Sequence, residues 1–94
     1  MYTVYILFSV KHNKIYIGYT SNLLSRFLSH NVLGKDGYTK NFRPWVVIYC
    51  EYFLDKTLAM KREKALKSSN GRQWIWQNIE HYVSQLGYIP NISK

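Results

Sequence analysis

The sequence predicts a small α/β domain, a three-stranded antiparallel or mixed sheet flanked by helices in the order ββαβαα. Three observations carry that reading. Two β-branched and aromatic runs, Thr3 to Phe8 (TVYILF) and Lys14 to Tyr19 (KIYIGY), stand either side of a polar turn. A third such run, Trp45 to Phe53 (WVVIYCEYF), follows a loop rich in Gly and polar residues. Between and after the runs, apolar residues recur at helical spacing.

The first two runs read as a β-hairpin with His12 and Asn13 near its tip. On the second strand Ile15, Ile17 and Tyr19 point one way, and Tyr16 and Gly18 the other. Thr20 or Ser21 is placed to cap a first helix running to about His30, with Leu23, Leu24, Phe27 and Leu28 as its apolar stripe. Residues 31–43 read as a loop that Pro44 closes. The nearly continuous apolar character of Trp45 to Phe53 predicts a central strand. Asp55 or Thr57 starts a second helix, and Asn70-Gly71 is a stop signal after it. A third helix is expected over Arg72 to Leu86, with Ile75, Ile79, Tyr82 and Leu86 on its apolar face. The reading is therefore one domain over residues 1–86 and a C-terminal tail over 87–94, without repeats or internal linkers.

Ninety-four residues suffice for one modest core, and a 47% hydrophobic content fits a folded globule. The longest apolar run, Trp45 to Tyr49, is too short to span a bilayer, and no secretory leader is visible. The single cysteine, Cys50, has no intramolecular partner and reads as a small core residue, so the expected compartment is the reducing cytoplasm. Thirteen Lys and Arg against five Asp and Glu give a net charge of +8. That charge favours a polyanionic partner: nucleic acid, since no basic amphipathic helix or lipidation signal points to a membrane.

Glu63 is the acidic residue that its position singles out. Ala59, Glu63 and Leu66 fall at i, i+4 and i+7 of the second helix, so the carboxylate shares a face with apolar residues. There it must be paired, protonated or bound to a cation, and Lys67 one turn on is the ordinary ion-pair alternative. Arg26 and His30 lie one turn apart on the first helix. An Arg fork clamps phosphate and a His moves a proton, although a solvated basic edge has the same pattern. Of nine tyrosines, Tyr5 and Tyr16 sit on the hairpin strands, and Tyr16 shares its face with Gly18, whose missing side chain leaves room for a ligand. A phenol, with a pKa of about 10, is a poor base at neutral pH unless cations stabilise its anion.

The ordered set Val4-Tyr5-Ile6, Tyr16-Ile17-Gly18, Arg26 and then Glu63 on a later helix resembles the GIY-YIG nuclease superfamily. The stretches KIYIGYTSNLLSRFLSHN, GYTKNFRPWVVIYCEYF and AMKREKALK resemble its small stand-alone bacterial members, over about residues 1 to 80. The resemblance implies a metal-dependent endonuclease that hydrolyses phosphodiester bonds in DNA with one divalent cation, Mg²⁺ or Mn²⁺. By position, Tyr16 would be the base or the relay to the attacking water. Tyr5 would line the site and help hold water or phosphate. Arg26 would steady the scissile phosphate, His30 would assist proton transfer, and Glu63 would be the sole protein ligand of the metal. The first motif lacks its leading Gly, and Asn78 is the nearest candidate for an Asn that many members place beyond the metal-ligand Glu. Without an attached recognition domain, the expected selectivity is for branched, damaged or single-stranded DNA rather than for sequence, and a targeting protein partner would suit so small a domain.

Lys14, Tyr38, Lys40, Arg43 and Lys67 are the expected backbone contacts, to DNA or alternatively RNA, and an ordinary solvated loop explains Tyr38, Lys40 and Arg43 equally well. The alternative is a module that binds nucleic acid and cuts nothing. It leaves unexplained a carboxylate facing a polyanion. A protein-interaction scaffold using Trp45 or Trp74 leaves the charge unexplained.

Overall fold

The computed structural model describes residues 1–34 and 37–85. Strands β1 (Tyr2–Ser9) and β2 (Lys14–Thr20) lead into α1 (Leu23–Leu28), which continues as a π-type turn over Ser29–Leu33. A short α2 (Gly37–Asn41), β3 (Val46–Phe53), α3 (Lys56–Lys67) and α4 (Ser69–Gln85) complete the order. None of the described helices is long and apolar enough to cross a membrane. Leu86 and the expected tail, 87–94, lie outside the described residues.

The predicted three-stranded sheet with flanking helices is present, and it is wholly antiparallel in the order β2-β1-β3. The hairpin turns at Asn13, whose left-handed backbone (φ 55°) suits Asn better than a branched residue, and its N–H donates to the Ser9 carbonyl at 2.8 Å.

The central strand is β1, not β3. Seven of the eight β1 residues are buried, whereas none of β3 is fully buried. The unbroken apolar run of β3 has another cause. A bulge between Ile6 and Leu7 pairs Ile6 with Tyr49 and Leu7 with Val47, so Ile48 is an extra residue. Ile48 and Tyr49 consequently both pack on the α3/α4 side, and alternation disappears from the sequence.

Two cores result, one per sheet face. Val4, Ile6, Phe8, Ile15 and Ile17 meet Ala59 and Leu66 of α3 and Ile75, Ile79 and Val83 of α4. Full burial of an Ile or Val contributes about 1.5–3 kcal/mol. On α4, Val83 takes the fully buried place that the sequence pattern gave to Tyr82, which is half-buried. On the opposite face Tyr5, Leu7 and Trp45 are buried, with Tyr16, Leu23, Phe27, Phe42, Val47 and Cys50 around them. Leu24 and Leu28, expected in the α1 stripe, face solvent, because a six-residue helix lying on one sheet edge buries only a narrow strip.

Caps and loops depart from expectation in instructive ways. Asn22, not Thr20 or Ser21, caps α1, its side chain accepting from Ser25 N, while Thr20 Oγ1 accepts from Asn22 N. Asp55 caps α3 as predicted. Asn70-Gly71 does not end α3. Ser68 does, and α4 begins at once, with Gly71 in its first turn. A Cβ on Gly71 would stand 2.3 Å from the Ala65 carbonyl oxygen, so the glycine serves the close α3–α4 junction.

Part of the predicted loop is helical, and Arg43 organises it. Its guanidinium donates to the carbonyls of His30 (2.8 Å), Ser29 (3.2 Å) and Gly34 (2.7 Å), tying the start of the π-type turn to the residue that follows it. Arg43 thus holds the segment that carries His30. The Arg43–Pro44 peptide is cis. Trp45 is 1% exposed, donates from its indole to the Thr39 carbonyl at 2.8 Å and offers no interaction surface.

Candidate active site

A cleft of about 430 Å³ opens along the β2 edge of the sheet. Tyr5, Tyr16 and Gly18 bound it from one sheet face, Tyr2 and Tyr19 from the other, Arg26 from α1, and Lys56 and Glu63 from α3. Four of the five residues singled out in the sequence therefore converge on one concavity, from a hairpin and two helices. Lys56 and Glu63 are seven residues apart, two helical turns, so one face of α3 presents both.

His30, the fifth, lies behind this wall. It is 4% exposed, and its Nε2 is 2.8 Å from the hydroxyl of Tyr5, itself 1% exposed. Its ring also packs against Tyr16, with centroids 4.4 Å apart. Arg26 lines the cleft beside Tyr5 and Tyr16, and its positive charge acts on both phenols. The Tyr5 hydroxyl and His30 Nε2 share one hydrogen bond, whose direction follows the imidazole tautomer.

Burial pushes the Tyr5 phenol up to about 12, against the opposing influence of Arg26. At neutral pH Tyr5 is a neutral phenol bonded to His30. Of the two tyrosines, the half-buried Tyr16 is the more open to the cleft. Hydrogen bonding to Tyr5 raises Arg26 above even its ordinary value, so the guanidinium is a fixed cation.

Gly18 has a different task from the one its sequence position suggested. It pairs with Tyr5 across the hairpin. A Cβ there would lie 2.5 Å from the Tyr5 hydroxyl oxygen and 2.7 Å from Cζ. The vacant space belongs to the Tyr5 ring and not to a ligand. Because Tyr5 is buried and bonded to His30, Gly18→Ala is expected to displace it and to cost about 1–3 kcal/mol. Thermal unfolding of Gly18→Ala checks this: an unchanged midpoint would show that Tyr5 can move freely.

Glu63 stands at the margin of the α3/sheet core, its side chain 19% exposed. Among the described residues its partner is Lys67, at 3.5 Å, the ion pair anticipated from i, i+4 spacing. So long and open a pair contributes little. No group of three or more His, Cys, Asp or Glu that could hold a metal occurs among the described residues. Asn78 does not join the site. Its amide donates to the Trp74 carbonyl one turn back on α4.

Lys14 lies over the Phe42 ring at 5.5 Å, Tyr38 donates to the Ile15 carbonyl at 3.0 Å, and Lys40 is exposed. These lie outside the first cleft. The sequence reading missed Tyr2, Tyr19 and Lys56. Lys56 was legible from its spacing to Glu63, whereas Tyr2 and Tyr19 belong to the sheet face opposite Tyr5 and Tyr16.

The model of the GIY-YIG catalytic domain matches residues 1–77. A UPF0213 protein of Staphylococcus haemolyticus is 41% identical over 70 residues, 74% of this chain and 84% of that protein. A UPF0213 protein of Clostridium perfringens is 36% identical over 90 residues, 96% of each chain. The structure-specific endonuclease subunit SLX1 of Chaetomium globosum is 40% identical over 74 residues, 72% of this chain but only 23% of the fungal protein.

Proposed function

The chain belongs to the GIY-YIG family, and from that premise we propose that it is an endonuclease that hydrolyses phosphodiester bonds in DNA with one divalent cation, selecting substrate structure rather than sequence. The observation that carries the reading is the placement of the Glu63 carboxylate, from a helix remote in sequence, in the same cleft as Tyr16 and Arg26. A cleft built only to bind a polyanion gains nothing from that carboxylate. The named activity of the fungal relative, a structure-specific endonuclease subunit, supports the substrate class.

The donor set fits a hard cation. Glu63 is a lone carboxylate with one weak partner, and Mg²⁺ or Mn²⁺ accepts a single protein oxygen while keeping water and phosphate oxygens around it. Bound there, the ion would supply charge stabilisation at the phosphoryl oxygens. The rest is done by this chain's own groups. Arg26, beside Tyr5 and Tyr16, presents its guanidinium to the phosphate as a fork. Tyr16, beside that cation, relays the proton of the attacking water, taking it up as its own phenol proton leaves to solvent. His30 acts at one remove, fixing the Tyr5 hydroxyl that lines the cleft beside Arg26. Lys56 adds positive charge on the Glu63 side of the cleft.

Labelled single-stranded, duplex and branched DNA, incubated with Mg²⁺ or Mn²⁺ and in parallel with EDTA, tests the proposal. Cleavage is expected with either metal and none with EDTA, the branched or single-stranded substrate being cut fastest. Binding to every substrate without cutting any would replace the nuclease by a non-catalytic nucleic-acid-binding module.

A further inference from the structure

Tyr16 also lines a second cleft, of about 470 Å³, together with Ile15, Ile17, Tyr38, Lys67 and Arg72. The two clefts adjoin. Lys67, whose Nζ is 3.5 Å from Glu63 in the first, is part of the lining of the second. Among the described residues no acidic one lines this space, and two cations do. Arg72 is exposed and anchored through Nε on the Lys67 carbonyl at 3.1 Å, which holds its guanidinium beside the Lys67 side chain. Tyr38 is 44% exposed, yet its ring is fixed. Its hydroxyl is held by the Ile15 carbonyl, and its ring stacks on the buried Trp45 with centroids 6.0 Å apart and planes 28° apart. A rigid exposed aromatic ring next to two cations is the arrangement that takes one base and one phosphate of a strand.

We propose that this second cleft holds an unpaired nucleotide flanking the scissile phosphate, with its base on Tyr38 and its phosphate between Lys67 and Arg72. The proposal rests on the nuclease reading for where the scissile phosphate lies. It gives structure selectivity a physical cause. A base stacked within a duplex cannot also lie on Tyr38, so the platform rewards single strands, flaps and branch points and stays empty opposite paired DNA.

The test measures binding in EDTA, where cutting plays no part, with a fluorescent oligothymidylate and an abasic strand of equal length and charge. Wild type is expected to bind the strand with bases about tenfold more tightly than the abasic one. Tyr38→Leu is expected to bind the two alike, while Tyr38→Phe, which keeps the ring, retains the preference. Arg72→Ala, a change at an exposed position, is expected to weaken both strands by about five- to tenfold and to lower the salt dependence by about one counterion. Equal binding of both strands by wild type, or wild-type behaviour of Tyr38→Leu and Arg72→Ala, would overturn the subsite. If metal-dependent cleavage of DNA persists in that case, the subsite alone fails. If wild type neither binds nor cuts DNA, the nuclease reading fails with it.

Discussion

Glu63→Ala is expected to reduce cleavage by about a thousandfold or more, because loss of the cation removes several kcal/mol of charge stabilisation and about 4 kcal/mol corresponds to that factor. The fold should tolerate the change. The only ionic contact of Glu63 among the described residues is the 3.5 Å pair with Lys67, and an open pair of this kind contributes at most about 1 kcal/mol. Binding should persist and even tighten, since the substitution removes the negative charge of a cleft that otherwise carries Arg26 and Lys56. The opposite signs are the diagnostic feature, because a mutation that merely loosened the fold would lower binding and cleavage together. Glu80→Ala, an exposed change on α4, is the matched control and should cut like wild type. Single-turnover cleavage beside anisotropy binding on the same substrate reads both quantities.

Arg26→Ala should have the next largest effect, a loss of about a hundred- to a thousandfold in kcat, the range that removal of one preorganised donor to a developing oxyanion produces. Two properties set Arg26 apart from the other cations around the cleft. It lies beside Tyr5 and Tyr16 in the cleft, and Tyr5 is bonded in turn to a buried histidine. Arg26→Lys should recover little, because an ammonium cannot fork onto phosphate. The loss should fall on kcat more than on KM, since Lys56 remains to attract the strand. An Arg26→Lys variant with near wild-type kcat would show that charge alone suffices.

Much of this site was legible because its chemistry depends on residue type at fixed spacing. Glu63 stood out as a carboxylate on an apolar helix face, and Lys67 one turn on as its pair. Helical and strand periodicity likewise exposed the hairpin, the three-stranded sheet and the apolar face of α4. What escaped notice depends on contacts across the fold. The bulge opposite Ile6 and Leu7 turns two consecutive β3 residues to one face, so an edge strand imitates a central one. Gly18 reads as space for a ligand until its cross-strand neighbour is known to be Tyr5. Arg43 reads as a loop cation until the three carbonyls it caps are located. Gly71 reads as a stop signal, whereas the junction of α3 and α4 needs it for close packing. In each case a side chain's task is set by a neighbour distant in sequence, which local pattern cannot supply.

The account turns on Glu63 holding a divalent ion within this cleft, and paramagnetic Mn²⁺ added to isotope-labelled protein tests that most directly. Backbone amide signals of Tyr5, Gly18 and the Glu63 turn should broaden first, at metal well below one equivalent, and Glu63→Gln should abolish the effect. Broadening centred elsewhere on the chain, or unchanged in Glu63→Gln, would contradict it.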